Sequence, residues 1–263
     1  MSTKTLFPNH TLHRLNEGQL ALGMGIYHLR SAATPLLAQT CGFDWLFILG
    51  EHGSYTNQEI AQLCMAALPS GITPIVQIPK FAFDEGSRAL DNGAQGLIIP
   101  HIDTPEEAKT AVDAFLYPPL GRRSWGGPPV VYRYNPPSLG EAQAEINRNI
   151  LLTVMLESPQ AISNADAIAA IEGINILFVG AADLSAELGV PGEVGHERVA
   201  DAINTVALAC KRHGKILGLG GVYDLALQER YIKLGARFVL SGSDQAYLIA
   251  AGSKRAAELR ALF

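Results

Sequence analysis

Short apolar runs that end in glycine, proline or a polar residue recur along the chain, and each is followed by a stretch with helical spacing. The runs are LALGMGIY (20–27), DWLFILG (44–50), TPIVQIP (73–79), GLIIPHI (96–102), LLTVMLE (151–157), NILFVG (175–180), KILGLGG (215–221) and RFVLSG (237–242). Apolar, β-branched runs bounded by turn residues predict strands, and their alternation with helical patterns predicts a parallel sheet. Eight strand–helix units match the size of a single (β/α)8 TIM barrel, here expected to occupy residues 1–263. An open doubly wound sheet is the rival, but GMG at 23–25 is not the glycine fingerprint of its first turn. Among the helices, 104–117 has Thr104 as cap, Pro105 in the first position, and Glu106 and Glu107 facing the positive end of the dipole. A second is expected over 164–173, capped by Asn164 and stopped by Gly173.

A barrel of this kind carries its active site at the C-terminal ends of the strands. The second run stops at Glu51 and His52, the third at Gln77, the fourth at His101 and Asp103, the fifth at Glu157, and the sixth just before Asp183. Glu157 and Asp183 each follow an apolar run, where an unpaired carboxylate is costly unless a cation or hydrogen-bonded partner offsets it. Two such carboxylates, completed by waters and ligand oxygens, suit Mg²⁺ or Mn²⁺. The alternatives are an arginine partner for Glu157 and a capping role for Asp183 on a helix starting at Leu184. His52 suits a general base, with a rim histidine of no catalytic role as the alternative.

Composition narrows the partners. A net charge of −5 leaves no basic field for nucleic acid or an anionic membrane, so a small-molecule ligand is expected. The three cysteines, Cys41, Cys64 and Cys210, lack metal-type spacing and read as reduced, buried side chains. No signal peptide or membrane-spanning run is evident, and the cytoplasm is the expected compartment.

Five segments together resemble the HpcH/HpaI aldolase family, the metal-dependent class II pyruvate aldolases related to citrate lyase β-type enzymes. They are GFDWLFILGEHG (42–53), LDNGAQGLIIPHIDTPEEA (90–108), YPPLGRR (117–123), MLESPQAISNADAIAAIEGINILFVGAADLSAELGVPG (155–192) and GSD (242–244). The resemblance implies a carbon–carbon lyase acting on a 2-oxo acid such as pyruvate, with an aldehyde as second substrate. It implies Glu157 and Asp183 as ligands of Mg²⁺ or Mn²⁺, with Co²⁺ or Zn²⁺ as other choices. It also implies His52 as base, and backbone N–H groups of Ala182 and Asp183 on the substrate carboxylate. A homo-oligomer is implied as well, a hexamer built from dimers in which the residues after Ser243 are exchanged between subunits.

Two positions depart from that family's pattern. Leu49 stands where an aspartate is usual, and Gln77 where an arginine serves as a cationic enolate stabiliser. A neutral donor is weaker than a charged one, and losing a preorganised donor costs on the order of 10² to 10³ in rate. Arg30, just beyond the first strand, and Arg123, in the long loop after 117, are candidates for a replacement cation or a carboxylate contact. An arginine introduced at 77 would face Leu49 without a counter-charge, so Gln77→Arg alone is not expected to restore aldolase activity. The pocket floor is expected to be less charged than in the family. Alternatives to the aldolase are another metal-assisted enzyme (an oxaloacetate decarboxylase, a hydrolase or a CoA-thioester lyase) or a binding protein. Trp125, Tyr132 and Tyr134 are read either as specificity elements or as packing under the long loop, and His101 and Asp103 as buttresses of the rim.

Overall fold

The computed structural model describes residues 5–263. Eight parallel strands close on themselves in sequence order: β1 Ala21–Ile26, β2 Trp45–Leu49, β3 Thr73–Gln77, β4 Gly96–Ile99, β5 Leu151–Leu156, β6 Ile176–Gly180, β7 Ile216–Gly220 and β8 Ala236–Ser243. Every predicted run supplies one strand, and helices connect them on the outside. The open-sheet alternative is thereby excluded, because β1 pairs with β8 as well as with β2.

Side-chain alternation splits the core in two. Inward residues, including Trp45, Phe47, Ile75, Ile98, Met155, Phe178 and Phe238, fill the barrel, while their outward neighbours pack against the helices. Trp45 stacks on Phe238 with ring centroids 3.9 Å apart. Gly23 makes this possible, since a Cβ there would collide with the indole ring. The GMG sequence is thus a packing requirement of Trp45, not a phosphate-binding turn.

The N-terminal segment, for which the pattern gave no element, forms a helix at His10–Asn16 across the N-terminal opening. Leu15 and Leu12 pack onto the interior cluster. Asn9 fixes the segment by donating from Nδ2 to the carbonyls of Gln95 and Asn149, at 3.0 and 2.8 Å. Both carbonyls lie just before the starts of β4 and β5, so the segment closes the end opposite the expected site.

Helix expectations hold in part. Thr104 and Glu107 form a reciprocal capping box on Pro105–Phe115. The helix expected over 164–173 is instead two short ones, Pro159–Ser163 and Ala165–Ala169. Ser158 caps the first, and the Asn164 side chain donates to the Asp103 carbonyl at 2.8 Å rather than capping. Cys64 and Cys210 are buried as expected, but Cys41 is exposed, because it ends a helix whose buried side is carried by Thr34, Pro35 and Ala38. No helix among the described residues is long and apolar enough to cross a membrane.

Candidate active site

The C-terminal ends of the strands surround a cavity of about 170 Å³. This inner part suits a ligand of a few carbons, and the same His101, Glu157 and Asp183 also line an adjoining outer cavity of about 400 Å³ together with Lys80 and Asp103. His52, Gln77, Glu157, Ala182 and Asp183 all line the inner part, with Glu51, His101 and Leu49. Phe47, Met155, Phe178 and Leu240 supply the apolar floor.

Glu157 follows directly after β5 and is 4% exposed. Its Oε2 accepts the His101 backbone N–H at 3.0 Å and lies 3.4 Å from His101 Nδ1. His101 has φ +53, the left-handed region that L-residues rarely adopt, and this turn directs its N–H at the carboxylate. Gly180, at the end of β6, is needed as well, since a Cβ there would occupy the space of the Glu157 carboxylate. Burial raises the Glu157 pKa from 4.5 to about 8; the His101 N–H opposes the shift, and the nearby Asp183 and Glu51 carboxylates add to it.

Asp183 hydrogen-bonds Glu157 yet is exposed to the mouth, contrary to the expectation that both carboxylates are withdrawn from water. Its helix runs Ala181–Glu187, with Gly180 as N-cap, so Asp183 sits in the first turn and caps nothing at Leu184. Among the described residues no arginine pairs with Glu157. Ala182 and Asp183 lie where first-turn N–H groups are free of helical partners. Among the described residues no three His, Cys, Asp or Glu side chains form a complete metal cage.

On the opposite wall Glu51 joins three side chains. Its Oε2 accepts from Gln77 Nε2 at 2.7 Å and stands 3.6 Å from His52 Nε2, while Oε1 is 3.9 Å from His101 Nε2. His52 itself is open to solvent, its side chain 72% exposed. This wall therefore carries a charge beside the neutral Leu49 and Gln77. Glu51 supplies a carboxylate beside position 77, so an arginine there would not lack a counter-charge.

Neither candidate arginine lines the cavity. Arg30 lies over the Tyr55 ring at 5.0 Å, pairs with Glu59 at 3.0 Å and donates to Ser54 Oγ at 2.6 Å. Arg123 is buried near the other end of the barrel, 2.6 Å from Asp91 and stacked on Tyr117. There it packs with Leu6, Gln95 and Asn149, away from any strand's C-terminal end. The aromatic residues of the same loop follow it: Tyr132 is buried on Glu145, Trp125 packs by Tyr117, and Tyr134 faces solvent.

Two lining residues escaped the sequence reading. Tyr27 and Tyr223 line the mouth and share a hydrogen bond. Both obey the same strand-end rule that singled out His52, because Tyr27 closes the first run and Tyr223 follows GG at 220–221. The GSD segment explains the position of Tyr27. Buried Asp244 accepts the backbone N–H groups of Tyr27, His28 and Leu29, the last two at 2.8 Å each. Asp103 does act as a rim buttress, accepting from the Ser158 hydroxyl next to Glu157.

Comparison with known proteins covers nearly the whole chain. The sequence profile of the HpcH/HpaI aldolase/citrate lyase family matches residues 28–251. A 4-hydroxy-4-methyl-2-oxoglutarate aldolase of Hapsidospora irregularis is 37% identical over 257 residues, covering 95% of this chain and 94% of that protein. A 2-keto-3-deoxy-L-rhamnonate aldolase of Salmonella gallinarum is 36% identical over 244 residues, covering 91% and 88%. Among solved structures, an HpcH/HpaI aldolase from Desulfitobacterium hafniense superposes with a TM-score of 0.90 at 28% identity, covering 97% of each chain.

Proposed function

From the premise that this chain belongs to the HpcH/HpaI aldolase/citrate lyase family, we propose that it is a divalent-metal-dependent aldolase. Its substrates are a 2-oxo acid such as pyruvate and an aldehyde, or their hydroxy-oxo-acid adduct. The observation that carries this reading is buried Glu157 against Asp183 in a mouth sized for a small acid. Crowding by Asp183 and Glu51 helps hold the Glu157 carboxyl toward its neutral form, a penalty that a cation would remove. The donor set, two carboxylates with room for ligand oxygens, fits Mg²⁺ or Mn²⁺ better than a thiolate- or imidazole-seeking ion. Glu157 and Asp183 would hold the ion. When bound it would supply Lewis acidity toward the oxygens of a 2-oxo acid.

The chain's own residues do the rest. The N–H groups of Ala182 and Asp183 orient the substrate carboxylate. Glu51 faces His52 Nε2 and leaves Nδ1 to take a proton from the bound substrate. Phe47, Met155 and Phe178 exclude water from the floor.

Assembly forms part of the same proposal. The helix Asp244–Arg260 has only Asp244 buried, and it leaves Leu248 and Ile249 exposed at 74% and 58%. A second copy of the chain that receives this helix would cover them, and light scattering on the purified protein tests that assembly.

The catalytic test is NMR of pyruvate in D₂O, with and without Mg²⁺ or Mn²⁺. Metal-dependent loss of the methyl signal, abolished in Glu157→Ala and strongly reduced in His52→Ala, is the expected result. A wild type that binds metal but exchanges no methyl protons refutes the reading.

A further inference from the structure

Two hydroxyls line the mouth, those of Tyr27 and Tyr223, and they are not equivalent. Their shared hydrogen bond holds the Tyr27 proton more firmly and eases the Tyr223 proton, which marks Tyr27 as donor and Tyr223 as acceptor. The Gly221 N–H faces the same Tyr223 oxygen. Burial raises the pKa of both phenols, so both stay protonated at neutral pH. The Tyr223 oxygen therefore accepts, and its own O–H is left to give. Tyr223 is 52% exposed, so a ligand can meet that proton.

Donors are scarce among the other side chains of the mouth. Gln77 Nε2 is engaged by Glu51, and the rings of His52 and His101 stand against Glu51 and Glu157. Glu51, Glu157 and Asp183 present acceptors only, when ionised. Arg30 and Arg123, weighed from the sequence for a carboxylate contact, lie outside the mouth. The place of Tyr223 points the same way. Gly221 packs so closely on Ala182 that a Cβ there would stand 3.0 Å from the Ala182 nitrogen, so Tyr223 follows directly on the residue assigned to the substrate carboxylate. Tyr27 is held from behind. Asp244 fixes its backbone, and Gly25 leaves room for its ring, since a Cβ there would come within 3.0 Å of Tyr27 Cε1.

We propose that the Tyr223 hydroxyl is the side-chain donor that binds the carboxylate of the 2-oxo acid, and that Tyr27 is the positioning residue that aims it. The inference deepens the aldolase reading of the same mouth and rests on it. A neutral phenol at the end of β7 takes the contact expected of an arginine. Donation from Tyr27 polarises the Tyr223 O–H and strengthens the bond it makes.

The test measures binding to Mg²⁺-loaded protein by calorimetry, for pyruvate and for pyruvamide, which keeps the keto oxygen but replaces the carboxylate by a neutral amide. Tyr223→Phe should weaken pyruvate roughly tenfold to a hundredfold, the worth of a hydrogen bond to a charged group. Pyruvamide should lose less, because a neutral acceptor makes a weaker bond. Mn²⁺ affinity by electron paramagnetic resonance should not change, which separates a lost ligand contact from a disturbed site. Tyr27→Phe should cause part of the same loss, and none in a Tyr223→Phe background. Pyruvate affinity within twofold of wild type in Tyr223→Phe, equal losses for the two probes, or a parallel loss of Mn²⁺ overturns the carboxylate contact. Additive losses from the two tyrosines overturn the positioning role. Pyruvate methyl exchange in the wild type reads the underlying function separately. Exchange with no effect of Tyr223→Phe on pyruvate binding sinks the Tyr223 contact alone, and the binding effect without exchange sinks the enolisation reading alone.

Discussion

Heating the metal-free protein across a range of pH should expose Glu157 as a liability that grows with alkalinity. In the fold its pKa is raised from 4.5 to about 8, so between those values the folded chain holds a proton that the unfolded chain has released. Stability therefore falls as pH rises through that window, the reverse of an ordinary salt-bridged carboxylate. The shift corresponds to at most about 5 kcal/mol. At about 2–4 °C per kcal/mol for domains near this size, the upper limit is a loss of about 10–20 °C in melting temperature. Glu157→Gln imitates the protonated form at every pH and isolates the effect from other titrating groups. Calorimetric melting in a chelator should give similar wild-type and variant values near pH 5, with the variant more stable by about pH 8. Saturating Mg²⁺ should restore the wild type and release a proton on binding below about pH 8. Parallel melting curves for the two proteins across the window would refute the claim that this carboxyl is held neutral by burial and its neighbours.

Other consequences are open to simpler measurements. His52→Ala should slow pyruvate methyl exchange on the order of 10² to 10⁴, with Mn²⁺ affinity by electron paramagnetic resonance unchanged, because His52 touches Glu51 rather than the two proposed ligands. Arg30→Ala should leave exchange within about twofold, since Arg30 is engaged by Glu59 and Ser54 outside the cavity; a large loss would return it to the site. Asp91→Ala should destabilise by about 3–5 kcal/mol in urea unfolding, because it strands the buried Arg123 charge. Gln77→Arg, paired with Glu51, should fold and raise pyruvate exchange rather than fail for want of a counter-charge, and an unchanged rate would show that Glu51 does not compensate.

The barrel was legible because its signal is local: eight apolar runs ending in turn residues, each long enough for one strand. The site was legible for a related reason, since a strand end is both a sequence position and a place in the barrel. That rule placed His52, Gln77, Glu157 and Asp183 around one mouth, and it would have added Tyr27 and Tyr223 had it been applied to the first and seventh runs. Arg123 misled because a loop arginine carries no sequence mark of burial, and its partner Asp91 lies 32 residues away. Glu51 was underrated for a similar reason. Leu49 and Gln77 pointed to a floor less charged than in the family and drew attention away from position 51, which reaches Gln77 through a turn whose geometry no periodicity encodes. His101 depended on backbone shape as well, since its role comes from a positive φ rather than from its imidazole alone.

The packed barrel interior has a kinetic consequence. Trp45, Phe47, Phe178 and Phe238 fill it, so the mouth has one doorway, and whatever enters deepest must wait for what lies above it. With the acid fragment deepest, as the proposed function places it, that fragment departs only after the aldehyde has gone, and in the reverse direction it must arrive first. Product inhibition should then be unequal: the acid fragment competes with the adduct for the empty mouth, whereas the aldehyde meets only enzyme already carrying the acid. An ordered sequence of that kind would be set by aromatic side chains that touch no reacting atom.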